Sequence, residues 1–185
     1  MQRAVATVLG VTAIAVLGLA PPTAAARVNR LLAPVARCPG QTDAAAGVAT
    51  QEAAMRCLHT YARRHAHRGR LAVSARLSDS AGAKAGDVLR CDQFSHVACG
   101  RDFLYWFDQL GFGLDGCWSA GENIAWGNGS FASARSVMRS WLRSPGHRSN
   151  ILSRSFEQLG VGLRVGSLAG TDDAHVWVSH FGSHC

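Results

Sequence analysis

Six cysteines stand behind a leader of export type, and this combination limits the chain more than any other feature of it. Residues 1–26 begin with Arg3, run through the apolar stretch Ala4 to Ala20 and end on the small residues Ala24-Ala25-Ala26, the pattern of a cleavable signal peptide. The apolar stretch is also about as long as a short membrane-spanning helix of ~17–25 residues, so an uncleaved anchor is the competing reading; Pro21-Pro22 and the small-residue site favour cleavage. Cysteines that reach an oxidising compartment in even number form disulfides, here three, and the lack of any Cys-x-x-Cys pair disfavours a zinc ribbon. Many connectivities remain open. Cys91 with Cys99 would close a short loop around Phe94-Ser95-His96, Cys38 with Cys57 would tie the amino-terminal segment to the first helix, and Cys117 with Cys185 would pin the carboxyl terminus.

The mature chain of about 160 residues suffices for one domain with one core. The expected organisation is a leader (1–26), an Ala-, Pro- and Gly-rich extension held at Cys38 (27–49) and a single domain (50–185). Net charge is +7 and falls to +6 when Arg3 leaves with the leader. Lys84 is the sole lysine; Arg56, Arg63, Arg64, Arg68, Arg70 and Arg76 cluster with His65 and His67. Such a balance gives a weak general attraction to anionic surfaces, such as cell-wall polymers or lipid headgroups. Nucleic acid is disfavoured in an exported chain without a nucleic-acid motif.

Periodicity places helices early and strands late. From Thr50, a plausible cap, Ala54, Leu58, Tyr61, Ala62 and His65 mark a first helix on which His59 reads as solvated. Leu77, Ala81, Ala85 and Val88 stripe a second, over about Ser78 to Leu89, and Leu104, Phe107 and Leu110 a third, over Arg101 to Leu110 and ended by Gly111-Phe112-Gly113. A fourth carries Ala134, Val137, Met138, Trp141 and Leu142 and stops at Pro145. Val161, Leu163 and Val165, then Val176, Val178 and His180, alternate with other residues as in an antiparallel hairpin, and Ile124 to Trp126 could add a strand. The result is an α+β domain. His175, His180 and His184 read as edge or surface residues, and His65 and His67 as the solvated end of the first helix.

The stretch with most chemistry runs from Gly121-Glu122-Asn123-Ile124-Ala125-Trp126-Gly127 to Ser144-Pro145-Gly146-His147-Arg148-Ser149-Asn150. Its two ends read as glycine-bounded bends around Glu122 and His147, braced by Asn123 and Asn150 and held apart by the helix containing Trp141. Phe94-Ser95-His96 supplies a second imidazole upstream. The ordered set Phe-Ser-His, Gly-Glu-Asn-Ile-Ala, Trp-x-x-Ser-Pro-Gly-His-Arg-x-Asn-Ile-Leu and Gly-Val-Gly resembles the bacterial branch of the CAP superfamily. These are secreted SCP-like domains related to plant pathogenesis-related proteins and venom allergens. The resemblance covers roughly Thr50 to Phe181. It implies a three-layer αβα sandwich with a small antiparallel sheet, and a cleft lined by two histidines and two acids that binds divalent metal in some members.

His96, Glu122 and His147 match three of those four cleft positions, and they are the candidate catalytic residues. The second acid, expected three residues after the helix tryptophan in many members, is Ser144 here. Two imidazoles and one carboxylate with an open position form a known catalytic zinc arrangement, so a divalent metal such as zinc on His96 and His147 is one expectation. A hydrogen-bonded cleft without metal is the other. A serine hydrolase built on Ser95, Ser144 or Ser149 lacks the Gly-x-Ser-x-Gly elbow, and adjacent residues rarely face one another. The resemblance also allows lipid or sterol in a groove lined by Trp118, Trp126 and Trp177. Arg148 could pair with Glu157. Two functions follow: a monomeric binding module for a small amphiphile, cell-wall component or protein partner, or a hydrolase, metal-dependent or not, using the same cleft.

Overall fold

Strand β4 (Thr171–His184) carries the architecture, because its two faces bury different halves of the molecule. The computed structural model describes residues 23–113 and 116–184. In chain order the elements are α1 (Ala24–Leu31), α2 (Val48–His65), β1 (Ala72–Val73), α3 (Ala75–Arg90), α4 (Tyr105–Gln109), β2 (Trp118–Gly127), α5 (Ala134–Arg143), α6 (Pro145–Leu152), β3 (Gln158–Leu168) and β4. The sheet order is β1-β3-β4-β2; β4 runs antiparallel to both neighbours, and β1 adds parallel to β3. Side chains alternate across a strand. Trp177 and Phe181 therefore join a core with α1, α2, α5 and α6, while Val176 and Val178 face the other way and pack with Ala81, Ala85 and Val88 of α3. Helices thus cover both faces of a small sheet, and the expected α+β, αβα sandwich is the fold.

Close contact of α3 with β3 depends on the Gly160-Val161-Gly162 run. A Cβ at Gly160 would lie 2.0 Å from the Leu77 carbonyl carbon, and one at Gly162 2.3 Å from the Gly82 nitrogen. Only glycine permits backbone to approach backbone this closely. The expected stripe Leu77, Ala81, Ala85 and Val88 is fully buried against this surface, and Ser74 caps the helix by accepting from the Leu77 amide at 3.3 Å. The α5 stripe is buried too, with the Trp141 indole donating to the Ile124 carbonyl at 3.1 Å.

Several local expectations change. Helix α2 starts after Gly47, so Thr50 lies inside it rather than capping it. His59 is 1% exposed, not solvated: Met55, His59 and Ala62 share a helical face, making the buried stripe wider than the leucine and alanines alone suggest. The third helix is only Tyr105–Gln109, with Phe107 alone buried on it; Leu104 and Leu110 are half-buried. The Gly121 segment is extended strand, not a bend. Pro145 does end α5, since Ser144 is extended, but it also occupies the first position of α6, so His147 sits on a helix.

Most of the expected leader lies outside the described residues; Ala24 to Ala26 form the first turn of α1. The segment expected as an extension contributes Val28, Leu31, Leu32 and Ala33 to the main core. Disulfides Cys38–Cys57 and Cys91–Cys99 are formed as expected. Cys117 is also disulfide-bonded, and its expected partner Cys185 lies outside the described residues. No helix among the described residues is long and apolar enough to cross a membrane.

Candidate functional site

Glu122 and His180 stand directly opposite one another on β2 and β4. Residues so paired share one face of the sheet with side chains in contact range. That face is the one covered by α3, where Ser80 and Lys84 lie on the same side of the helix as Leu77, Ala81 and Val88. The outcome is a continuous chain of hydrogen bonds. Ser80 Oγ lies 2.8 Å from His180 Nδ1, His180 Nε2 lies 2.9 Å from Glu122 Oε2, and Glu122 Oε1 lies 2.5 Å from His96 Nδ1. Ser80 and His180 are fully buried, and the His96 side chain is 54% exposed at the outer end.

His96 is held by its loop. Cys91–Cys99 closes the loop, and Lys84, buried beneath it, donates from Nζ to the His96 carbonyl at 2.7 Å. Burial lowers the Lys84 pKa, while Glu122, Asp87 and Asp102 pull it the other way. Asp87 ties the following segment down, accepting from Arg90 at 2.5 Å, from Arg101 at 3.2 Å and from the Trp106 indole at 2.8 Å.

The protonation states follow from this geometry. Burial opposes ionisation of Glu122, but hydrogen bonds from His180 and His96 outweigh it and hold the carboxyl below its usual range. The hydrogen bond to Glu122 raises the His96 pKa against the pull of burial. His180 is lowered, chiefly by burial, although Glu122 works in the opposite direction. The arrangement is a carboxylate between two imidazoles shifted in opposite directions, His96 toward its protonated form and His180 toward its neutral form. A neutral His180 then donates from Nε2 to Glu122 and accepts the Ser80 hydroxyl proton at Nδ1.

His147 lies close enough to His96 to feel its charge and makes no hydrogen bond to Glu122. Its backbone carbonyl accepts from Asn123 Nδ2 at 3.1 Å. Asn150 Nδ2 donates to the Glu122 carbonyl at 3.1 Å and to Asn123 Oδ1 at 2.9 Å. These bonds tie α6 to β2. The His147 ring lies 6.3 Å from that of Trp141, centroid to centroid. Its pKa is lowered by burial and by the nearby charge of His96.

Of the three expected residues, His96 and Glu122 are therefore in direct contact and His147 is beside them. Both Glu122 oxygens are engaged by imidazoles, Ser144 supplies no acid, and among the described residues the His147 ring nitrogens and His96 Nε2 carry no hydrogen bond. Among the described residues no group of three or more His, Cys, Asp or Glu side chains could hold a metal ion.

His180 is the residue sequence reasoning missed, having been assigned to an edge. Its shared face with Val176 and Val178 was the available signal. Lys84 had one as well, since the sole lysine falls on the apolar stripe of α3. The serines that face imidazoles are Ser80 and Ser179, the latter 3.1 Å from His59 Nε2, and both are fully buried; Ser95 instead accepts from the Val97 amide. Trp177 does not line a groove, being fully buried with its indole donating to the Ala132 carbonyl at 2.8 Å. Arg148 does not pair with Glu157; it donates to the Leu142 carbonyl at 2.9 Å.

The sequence model of the CAP, or cysteine-rich secretory protein, family matches residues 57–181. The chain belongs to this family. Uncharacterized protein YkwD of Bacillus subtilis (strain 168) is 32% identical over 112 residues, which are 60% of this chain and 38% of that protein, so the chain spans well under half of its relative. An extracellular protein containing an SCP domain from Bacillus anthracis superposes with a TM-score of 0.60 at 24% identity, covering 72% of this chain and 40% of that one. An outer surface protein from Borrelia burgdorferi superposes at 0.59 and 18% identity, covering 71% of this chain and 90% of its own. At these identities the two structures speak for the fold alone.

Proposed function

We propose that the chain is an exported binding module whose cleft takes a small amphiphile. Export is supported by the leader pattern, the disulfides and the extracellular or outer-surface description of the structural neighbours. The observation that carries the binding reading is the disposition of the network. Its reactive members are spent on one another: Glu122 is buried with both oxygens occupied, and Ser80 is out of reach of solvent. What remains at the surface is the half-exposed His96 ring, biased toward its protonated form, between Phe94 at 46% and Val97 at 53% exposure. A donor with cationic character beside two exposed apolar side chains suits a ligand with an anionic or accepting head and an apolar body.

A hydrolase using these residues would have to draw its base from His147 or His96, since Glu122, Ser80 and His180 are engaged with one another. Calorimetric titration with dodecanoate tests the binding reading, with dodecyl maltoside as the uncharged-head comparison. Saturable binding of dodecanoate, weakened in both His96→Ala and Phe94→Ser, is the expected result. Failure to saturate, or binding indifferent to both substitutions, would refute it.

A further inference from the structure

The molecule carries a second feature, built from residues outside the Ser80–His180–Glu122–His96 network. An open depression of about 530 Å³ is lined by Arg63, Arg68, Arg70, Arg154 and Glu157. An adjoining one of about 430 Å³ shares Arg68 and Arg154 with it and adds Arg148. Five guanidiniums against one carboxylate leave a formal local excess of +4, more than half of the +7 carried by the whole chain. None of the five is in an ion pair among the described residues, whereas Arg56, Arg90 and Arg101 elsewhere are paired with Glu52 or Asp87.

The arginines are nonetheless held in place, by neutral acceptors. Arg63, only 3% exposed, donates from Nε to the Gly69 carbonyl at 2.6 Å and from Nη1 to the carbonyls of Ile151 at 2.9 Å and Ser153 at 2.8 Å. Arg68 Nε donates to the Leu152 carbonyl at 2.9 Å, and Arg148 Nη1 is fixed on Leu142. A carbonyl fixes a guanidinium without cancelling its charge. Burial and the charge of Arg68 both disfavour the Arg63 cation, as expected where like charges are brought together. Arg70 and Arg154 are exposed and make no side-chain hydrogen bond among the described residues, so their forks stand at the rim.

We infer that this double depression is a binding site for a ligand bearing two or more linked phosphate groups. Arginine forks bind phosphate oxygens in bidentate fashion, and pre-anchored side chains lose little freedom on binding. Two joined depressions with shared arginines at the boundary match phosphates in series better than one isolated ion.

Tripolyphosphate and inorganic phosphate, titrated calorimetrically into the full chain at fixed low ionic strength, provide the test. Tripolyphosphate should saturate and bind more tightly than phosphate. The Arg70→Gln/Arg154→Gln double variant, which alters two rim side chains without protein partners, should bind roughly tenfold or more weakly, as expected for lost hydrogen bonds to charge. Glu157→Gln should tighten binding. Arg37→Gln/Arg139→Gln, with the same net change on other exposed arginines, should retain it, as should His96→Ala, which separates this site from the cleft. Absent saturation, undiminished binding in the rim variant, or equal loss in the Arg37/Arg139 variant would each overturn the inference. Sedimentation with vesicles of equimolar phosphatidylglycerol and phosphatidylcholine identifies the source. Co-sedimentation lost in the rim variant assigns the phosphates to lipid headgroups, whereas tripolyphosphate binding without co-sedimentation assigns them to a soluble or polymeric ligand.

Discussion

His59 and His180 are both buried imidazoles in contact with a serine, yet their surroundings separate their roles. His180 has Glu122 on one side and Ser80 on the other. His59 has only Ser179, with Nδ1 left unpartnered between the Trp141 and Phe181 rings, and burial, with the Arg63 charge adding to it, lowers its pKa to about 3. In the unfolded chain this histidine takes a proton below pH ~6.5, and in the folded chain it does not. Its contribution to stability is therefore present above pH ~6.5 and is lost as pH falls toward 3, at up to about 1.4 kcal/mol per pH unit. Denaturant melts of wild type and His59→Gln, whose amide can still bond Ser179, should diverge in slope over this range, the variant losing less on acidification. Parallel pH profiles would place the acid sensitivity elsewhere. Neither role was legible from residue type: a histidine in a helix or strand pattern reads as surface until its face is counted, and both lie on buried faces.

At the scale of elements, the glycines of β3 and the tryptophan of α5 do the most positioning. Gly162→Ala would drive a methyl into the backbone of α3 at Gly82, with no flexible side chain there to yield. Overpacking of this kind costs ~1–3 kcal/mol, and because α3 carries Ser80 and Lys84 the substitution should also loosen the His96 loop. Amide exchange across residues 91–99 would show it as faster exchange; stability and exchange both unchanged would mean that α3 does not rest on this strand. Trp141→Ala should cost ~3–5 kcal/mol, since the ring is 1% exposed and its indole is bonded to β2. A loss under ~1 kcal/mol, typical of surface positions, would contradict its place in the core. The α3 and α5 stripes and the β3/β4 hairpin were plain in the sequence because long periodic patterns report burial directly. The strand at Gly121 and the helix at Pro145 were not. Glycines signal a bend as readily as a close approach, and a proline that ends one helix can begin the next.

For the whole molecule, the α+β class was foreseeable from the order of helices before strands, the sandwich from the family resemblance, and the Cys91–Cys99 disulfide from the short loop it closes, whereas cysteine count and export foretold disulfides without fixing the Cys38–Cys57 pairing. The completed site was less so, because it is made by sheet register. His96 and Glu122 are 26 residues apart and Glu122 and His180 are 58 apart, and nothing local in the sequence states that β2 and β4 pair in the register that joins them. The account rests on that convergence: Glu122 held below its usual range between a His96 shifted toward its protonated form and a His180 shifted toward its neutral form. A nuclear magnetic resonance titration of the His96 ring in wild type and Glu122→Gln tests it most directly. Wild-type His96 should titrate above the ordinary histidine value of ~6.5 and Glu122→Gln should bring it down, since the hydrogen bond to the carboxylate is the largest cause of the rise. The stability linked to His96 would correspondingly be present below pH ~6.5 and fade as pH rises through its folded value. A wild-type His96 that titrates at or below ~6.5, or one indifferent to Glu122→Gln, would contradict the account.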